Sequence, residues 1–423
     1  MGRAAPRLYV RRMSLTPTTT SPRLDLGVAL NDAGWHPAAW REEPARPAEL
    51  LTGRYWADLA RTADDAGLEL LTIEDAFGLQ TRHPFDTVDP AETRDVRGRL
   101  DAVLLANWLA PVTTRIGLIP TVSTTHTEPF HVSTAIATLD YASRGRAGIR
   151  PIAAAKPHEA AHVGRRTFPE IDRADFTGPE AQALISEWFG EAADVIEVAR
   201  RLWDSWQDDA IVRDTATGRF IDRERLHYID FEGAHFSVKG PSIVPRPPQG
   251  QPVVALLAHQ RIPYELAARQ GDVVFITPHD DAQLASISAE VRDAETRVER
   301  VGEPLRVWAD VVVLIEETTD AAQAALAHLD ELAGETFTSD ALIVADTAED
   351  VAGRLLAWHA AGVDGIRLRP ARLPYDLDRI ARDVVPLLEA AGVRTPRTDD
   401  PAATLRARLG LPVAVNRYEK EVA

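Results

Sequence analysis

Residues 121–148, with the sequence TVSTTHTEPFHVSTAIATLDYASRGRAG, decide the fold of this chain. A β-rich run at 115–122 leads into a polar loop at 123–129; a helical pattern follows, and Gly145 precedes a second β-rich run at 147–153. Strand, polar loop, helix, glycine stop and strand make one βα unit of a parallel sheet. In α/β barrels, the loops at the carboxyl ends of the strands carry the functional side chains. We therefore expect this hydroxyl-rich loop to belong to the functional site.

The bulk composition restricts the class of protein. The length of 423 residues accommodates one barrel of typical size with insertions. The formal net charge of −17 argues against a nucleic-acid binder, because phosphate contacts require clustered Lys and Arg. The absence of cysteine excludes disulfides, thiolate metal sites and cysteine nucleophiles. The apolar runs are far shorter than the roughly 18 residues of a membrane span, so we expect a cytoplasmic protein without a membrane segment.

The chain divides into a tail, a body and an extension. Residues 1–23 contain five arginines, no acidic residue and a stretch rich in Ser, Thr and Pro. They do not resemble a signal peptide, because no apolar core of roughly 7–15 residues follows the basic start. We predict a disordered tail at 1–23, a single barrel domain at 24–395 and a C-terminal extension at 396–423.

Strand-like and helix-like segments alternate about eight times along the body. Residues 154–182 are expected to form an irregular insertion, and 334–346 a loop. Two short β-rich segments flank a glycine turn within 228–238, which indicates a hairpin. The prediction is therefore an α/β protein, a (β/α)8 TIM barrel with insertions that include an extra hairpin between helix four and strand five.

Several short segments carry a resemblance to a known family. They include 34–36 (GWH), 73–75 (IED), 128–130 (EPF), 145–148 (GRAG) and 245–252 (PRPPQGQP). In this order and spacing the chain resembles the bacterial luciferase-like flavin monooxygenases, in particular the branch of nitrilotriacetate, sulfone and long-chain alkane monooxygenases.

The resemblance implies both a cofactor and a reaction. Proteins of this branch bind flavin mononucleotide (FMN) at the carboxyl ends of the barrel strands and receive it in reduced form from a separate flavin reductase. Dioxygen then forms a flavin C4a-peroxide, which inserts one oxygen atom into a small organic substrate. Because the flavin carries that chemistry, the protein need only position it, exclude water and shape a pocket. Barrels of this family commonly pair, which implies a homodimer.

The resemblance also implies residues beside the flavin ring. Asp75, at the end of the second strand, matches a position that contacts the ring edge, although a helix-capping role would also explain a carboxylate there. The loop residues expected beside the isoalloxazine are Thr121, Ser123, Thr124, Thr125 and His126. The hydroxyl groups of the serine and the three threonines can bond flavin carbonyls and ring nitrogens without adding charge, whereas ordinary turn chemistry is the alternative.

Two histidines are the candidate catalytic residues. His36 aligns with a family histidine in the loop after strand one, on the substrate side of the flavin, and His126 lies in the hydroxyl-rich loop. A histidine there can act as an acid or a base near neutral pH. The alternative for His36 is a packed loop residue beside Trp35.

The segments that would hold the flavin phosphate depart from the family pattern. His162 and Gly164 match only in part a family segment near the phosphate. The family's Gln-Ala-Gly-Ser-Ser after strand five is replaced at 256–263 by LLAHQRIP. We expect the phosphate contacts to come instead from His259, Gln260 and Arg261.

The substrate pocket is expected to include Trp35, Trp40 and Arg150. Arg150 stands where the family has Asn, and its charge favours an acidic substrate. Because the phosphate loop is altered, two alternatives stay open: an oxidoreductase that uses the deazaflavin F420, and a non-catalytic flavin-binding protein. A zinc hydrolase is a third, since residues 158–162 read His-Glu-x-x-His, but a third ligand is not evident and no metal is expected.

Overall fold

The computed structural model describes residues 23–82, 88–89, 91–169, 177–394 and 403–419. The predicted tail at 1–23 lies outside the described residues except for Arg23, and so do residues 396–402 and 420–423 of the predicted extension. The boundaries of the three predicted segments therefore stay a prediction.

Eight parallel strands close into a barrel. The strands of the described residues are, in chain order, β1 (Asp25–Leu30), β2 (Leu70–Ile73), β3 (Gly117–Ser123), β4 (Gly148–Ile152), β5 (Ile211–Asp214), β6 (Arg219–Ile221), β7 (Phe231–Glu232), β8 (Ser237–Val238), β9 (Val253–Leu257), β10 (Val273–Ile276), β11 (Arg306–Ile315), β12 (Leu342–Asp346) and β13 (Gly365–Pro370). The order β1-β2-β3-β4-β9-β10-β11-β13 returns to its start, because β13 pairs in parallel with β1 and β10 pairs with β11. The predicted barrel is confirmed.

Helices cover the outside of the barrel. They are α1 (Gly53–Asp65), α2 (Ala102–Leu109), α3 (Pro129–Ala142), α4 (Pro157–Val163), α5 (Pro179–Asp204), α6 (Arg261–Gln270), α7 (Asp281–Arg297), α8 (Thr319–Ala333), α9 (Ala348–Ala360), α10 (Tyr375–Arg379), α11 (Val385–Ala390) and α12 (Leu405–Arg408). A Thr or Asp side chain accepts a backbone N–H at the start of α1, α2, α7, α8 and α9, which fixes where these helices begin.

The lower half of the barrel interior is apolar. Side chains from five strands form one buried cluster with the C-terminal segment: Leu70, Ile119, Val253, Ala255, Val273, Phe275, Trp308, Leu405, Leu409 and Leu411. Gly365 makes room for the Trp308 indole, because a Cβ there would lie 2.4 Å from a ring atom. Leu405 of α12 lies against Gly117 in the same way, at 2.5 Å from an added Cβ. The C-terminal segment therefore closes the amino-terminal mouth of the barrel.

Two predicted irregular segments are wrong in part. The expected loop at 334–346 contains β12, which pairs with Val311–Ile315 of β11. Strand β11 is ten residues long, and β10 pairs only with its first part, so β12 covers an edge that would otherwise be unpaired. The expected insertion at 154–182 contains α4 and the start of α5.

The predicted hairpin is present as β7 and β8, which pair antiparallel. A further antiparallel pair, β5 and β6, precedes it and was not predicted. Both lie between α5 and β9, outside the ring of eight strands.

Candidate active site at the carboxyl end of the barrel

The hydroxyl-rich loop after β3 is tied to the end of β4. Thr124 Oγ1 donates to the Ile152 carbonyl (3.0 Å), and the Ala154 N–H donates to Thr125 Oγ1 (2.9 Å). These two threonines therefore perform the local bonding that turn chemistry predicts. Ser123 Oγ differs, because it is buried and makes no hydrogen bond to any residue that the structure describes. Ser123 is thus the hydroxyl that stays available to a ligand.

His126 presents a second free polar atom at the same rim. Its Nε2 is buried and has no hydrogen-bond partner among the described residues. The ring lies edge-on to Phe77 and Phe168, with centroid distances of 5.6 and 5.9 Å. Burial, and then the charge of Arg166, lower the pKa of His126, so the imidazole is neutral at pH 7. A neutral imidazole can donate or accept a bond at Nε2.

His36 has both ring nitrogens engaged. The Ala38 N–H donates to Nδ1 (3.1 Å), so the proton lies on Nε2, which donates to Asp330 Oδ1 (3.1 Å). The ring also packs against Phe337 at a centroid distance of 4.9 Å. Burial lowers the pKa of His36, and Asp330 opposes that shift in part. His36 therefore links the loop after β1 to helix α8.

Asp75 holds the start of α2. Its Oδ1 accepts the Ala76 N–H (2.8 Å) and its Oδ2 accepts the Ala102 N–H, the first of α2 (2.9 Å). Burial raises the pKa of Asp75, and the two backbone bonds act in the opposite direction. The capping role is therefore present in the structure, and the flavin contact stays a prediction.

Six buried or half-buried charges fill the upper part of the barrel, and we call them the mouth network: Glu74, Arg150, Asp310, Asp340, Arg367 and Arg369. Asp310 lies at the centre, where it accepts from Arg367 Nε (2.8 Å) and Arg369 Nε (2.9 Å). Burial alone would raise the pKa of Asp310, but the two arginines hold it below its usual value. Three positive and three negative charges cancel, so the network is neutral overall.

Arg150 belongs to this network. Its Nε donates to Thr121 Oγ1 (3.0 Å), and its guanidinium pairs with Glu74. The charge that favoured an acidic substrate is therefore already compensated within the chain. Asp310, Arg367 and Arg369 were not predicted as site residues. Their only signal in the sequence is a charge at alternate positions of otherwise apolar strands.

The polar side chains of the loop after β9 are either paired within the chain or exposed. His259 Nδ1 lies 3.0 Å from Thr277 Oγ1, and its Nε2 lies 3.5 Å from Asp340. Gln260 is exposed at the start of α6. The Arg261 side chain is 74% exposed and pairs with Glu265 one turn along α6 (2.8 Å).

The predicted aromatic residues of the substrate pocket are packed in different ways. Trp35 Nε1 donates to the Ala29 carbonyl (3.1 Å), and the Arg369 guanidinium lies 4.4 Å from its ring centroid. Trp35 therefore touches the mouth network. Trp40 Nε1 donates to the Arg94 carbonyl (2.9 Å), so Trp40 packs on the loop before α2.

Helix α4 carries the predicted phosphate residues His162 and Gly164. His162 is exposed, and Gly164 ends the helix with φ +70°, the left-handed conformation that favours glycine. His158 lies one turn before His162. Across the described ranges, no three His, Asp or Glu side chains converge as a metal site would require.

A polar cleft of about 190 Å³ opens beside the rim. It lies between the loop after β3, the turn after α4 and the β7–β8 hairpin. Two ion pairs border it, Arg165 with Glu128 and Arg166 with Glu191. His126 also lines this cleft, which connects it to the rim.

The sequence model of the family described as luciferase-like monooxygenase matches residues 34–334. The chain belongs to this family. N-acetyl-S-(2-succino)cysteine monooxygenase of Bacillus subtilis (strain 168) is 27% identical over 95% of this chain and all of that protein. Nitrilotriacetate monooxygenase component A of Aminobacter aminovorans is 28% identical over 94% of this chain and 98% of the length of that protein. The solved structure of EDTA monooxygenase from Chelativorans sp. BNC1 covers 92% of this chain and 99% of its own, with a TM-score of 0.75 and 24% identity.

Luciferase-like monooxygenases use flavin, so the barrel mouth can be tested for its fit to that cofactor. A flavin ring presents N–H donors and carbonyl and nitrogen acceptors along its edge. Three buried polar atoms at the ends of β2 and β3 make no hydrogen bond within the described part of the chain: Glu74 Oε1, Ser123 Oγ and His126 Nε2. The Glu74 carboxylate oxygen is an acceptor, whereas Ser123 Oγ and His126 Nε2 can each donate or accept. This combination of groups fits the edge of a flavin ring.

Among the described residues, no helix has both the length and the apolar character needed to cross a membrane.

Proposed function

We propose that this chain is the oxygenase component of a two-component, flavin-dependent monooxygenase. It would take reduced FMN from a separate flavin reductase and use dioxygen to oxygenate a small organic substrate. The observation that carries the proposal is the set of three buried atoms at the ends of β2 and β3 that make no hydrogen bond to the described residues; of these, Glu74 Oε1 lies 3.7 Å from Arg367 Nη1. A relative named as component A of a monooxygenase supports the two-component arrangement.

The bound reduced flavin would supply the reaction with dioxygen. The chain's own residues position and protect it. Ser123 and His126 bond the ring edge, and Asp75 keeps the loop after β2 fixed to α2. Phe77 and Phe168 lie edge-on to the His126 ring and hold it in place. We propose His126 as the acid–base residue of the site, because its Nε2 makes no hydrogen bond to the described residues.

The mouth network gives the site a neutral and rigid floor. Because Arg150 is paired with Glu74, we assign no acidic preference to the substrate. Trp35, which lies on Arg369, is the aromatic residue that we propose for the substrate side. His36 stays a predicted catalytic residue whose two nitrogens are already bonded. The cytoplasmic location also stays a prediction.

We propose a homodimer that pairs through helix α2. This helix contains no charged residue, yet Leu104 and Trp108 are 71% and 60% exposed, and Leu51 beside them is 62% exposed. A helix that is apolar all round is normally covered. An uncharged patch meets its own copy across a two-fold axis without repulsion. Trp108→Glu should convert the dimer to a folded monomer in analytical ultracentrifugation, and a monomeric wild type would contradict the interface.

Cofactor titration tests the proposed function. We expect reduced FMN to bind with a dissociation constant of about micromolar or below, and F420 to bind far more weakly. Tight binding of F420 alone would favour the F420 alternative; a solved F420-dependent secondary alcohol dehydrogenase shares the fold at a TM-score of 0.57. If no flavin binds below about millimolar concentration, the monooxygenase proposal is wrong. Flavin binding without oxygen transfer to any tested substrate would favour a non-catalytic flavin-binding protein.

A further inference from the structure

FMN ends in a phosphate monoester, and the loop after β9 is poorly suited to hold it. Residues 256–263 offer a single guanidinium, that of Arg261, and Pro263 has no N–H to donate. The Asp340 carboxylate lies 3.5 Å from His259, so a negative charge already stands beside the one imidazole of this loop. A phosphate placed here would meet a carboxylate where it needs donors.

The polar cleft beside the rim offers more cationic groups, although Glu128 and Glu191 also line it. Arg165 and Arg166 follow the end of α4 and border the cleft, and His126 and His235 also line it. Within the described residues, the hydrogen bonds of Arg166 to Glu191 and to the Thr125 carbonyl both use Nη2, so no other guanidinium N–H of Arg166 is engaged there. Two guanidinium groups offer the forked donor pattern that matches phosphate oxygens.

We propose that this cleft, rather than the loop after β9, binds the phosphate monoester of the flavin through Arg165 and Arg166. The inference rests on the proposed flavin function. His126 joins the two parts of the site, because its Nε2 lies at the rim and His126 also lines the cleft.

The glutamates that now pair with the arginines do not prevent this binding. The Arg165 and Glu128 side chains are 65% and 57% exposed, and an ion pair so exposed to water contributes little. A phosphate dianion can therefore replace Glu128 at Arg165. Glu191 is almost buried and holds Arg166, which lines the cleft.

A comparison of FMN with riboflavin, which lacks the phosphate, tests the inference on the full-length chain. The wild type should bind FMN roughly 10–100-fold more tightly than riboflavin, which is the scale of a charge-assisted hydrogen bond. Arg165→Ala with Arg166→Ala should bring this ratio close to 1 while riboflavin affinity stays the same. Inorganic phosphate should weaken FMN binding and leave riboflavin binding unchanged.

Two matched variants complete the test. Arg382→Ala removes an exposed arginine that pairs with Asp383 on the outer helices, and it should change neither affinity. Arg261→Ala examines the loop after β9. Equal affinities for FMN and riboflavin in the wild type would overturn the inference, and so would a ratio that is lost in Arg261→Ala but kept in the double variant. Failure to bind either flavin would instead contradict the proposed function.

Discussion

The two ends of the barrel interior are chemically opposite. The lower end contains Phe275, Trp308 and the leucines of the C-terminal segment. The upper end contains the mouth network, and the Arg367 guanidinium lies 4.1 Å from the Phe275 ring, where the two layers meet. Apolar side chains of similar volume would stabilise the upper layer at least as well, because buried ion pairs lose the hydration of their charges. The difference teaches that the lower end is built for stability and the upper end for a polar ligand.

The largest expected effect comes from breaking the mouth network at its centre. Asp310→Asn leaves Arg367 and Arg369 without their shared carboxylate and should lower the free energy of unfolding by about 3–5 kcal/mol. Urea denaturation measures this loss of unfolding free energy. Asp340→Asn is the matched control, because Asp340 pairs with the same Arg369 but is 37% exposed, and it should cost about 1 kcal/mol or less. Equal losses in the two variants would show that burial does not set the energy of this network.

The lower layer should respond with a loss of stability alone. Leu405→Ala leaves a cavity beneath Trp308 and should lower the free energy of unfolding by about 2–4 kcal/mol. Flavin affinity should be the same as in the wild type, since the change lies at the opposite end of the barrel. A clear loss of flavin binding in a folded Leu405→Ala protein would contradict the separation of the two ends.

A substitution at Ser123 should show the reverse pattern, in which flavin binding weakens and stability does not fall. Its hydroxyl makes no bond in the described structure, so Ser123→Ala should leave the unfolding free energy unchanged or slightly increased. The same change should weaken reduced-flavin binding by about 0.5–1.5 kcal/mol, measured by titration. Thr124→Ala is the control, because its hydroxyl bonds Ile152 and not the ligand; stability should fall there. Unchanged flavin affinity in Ser123→Ala would place the ring elsewhere.

The smallest effect is a pH dependence at the upper end. Because the pKa of His36 is lower in the folded state than its ordinary value of 6.5, the unfolded chain binds the proton more readily. The contribution of His36 to stability is therefore complete above pH 6.5 and falls as the pH drops towards the lowered pKa. Urea midpoints at pH 7.5 and 5.5 should differ less in His36→Gln than in the wild type. The same difference in both proteins would mean that other groups cause it.

The sequence predicted the parts of this fold that depend on local pattern. The bounds of β2 and β10 follow from short apolar runs between turn signals, and the hydroxyl-rich loop was placed at the end of β3 by the same reasoning. Strand β12 was missed because its role is to pair with the upper part of β11, a partner that sequence pattern does not reveal.

The sequence predicted where the candidate site lies, but it did not predict which groups its side chains bond. The hydroxyls of Thr124 and Thr125 were expected to face a ligand, but they bond the end of β4. Arg150 was expected to meet an acidic substrate, but Glu74 neutralises it. The contact of Thr72 with Arg367 joins residues 295 positions apart, and no spacing rule applies at that distance. Of the six charges in the mouth network only Arg150 was predicted as a site residue, and the other five became visible only after the barrel had closed.

The closure at the base of the barrel also has a consequence for biosynthesis. A nascent chain that has emerged as far as β13 already contains all eight barrel strands, yet it lacks the leucines that cover Trp308 and Phe275. Until Leu405 leaves the ribosome, that base stays open to water and to other hydrophobic surfaces, which is the condition under which partly folded chains aggregate.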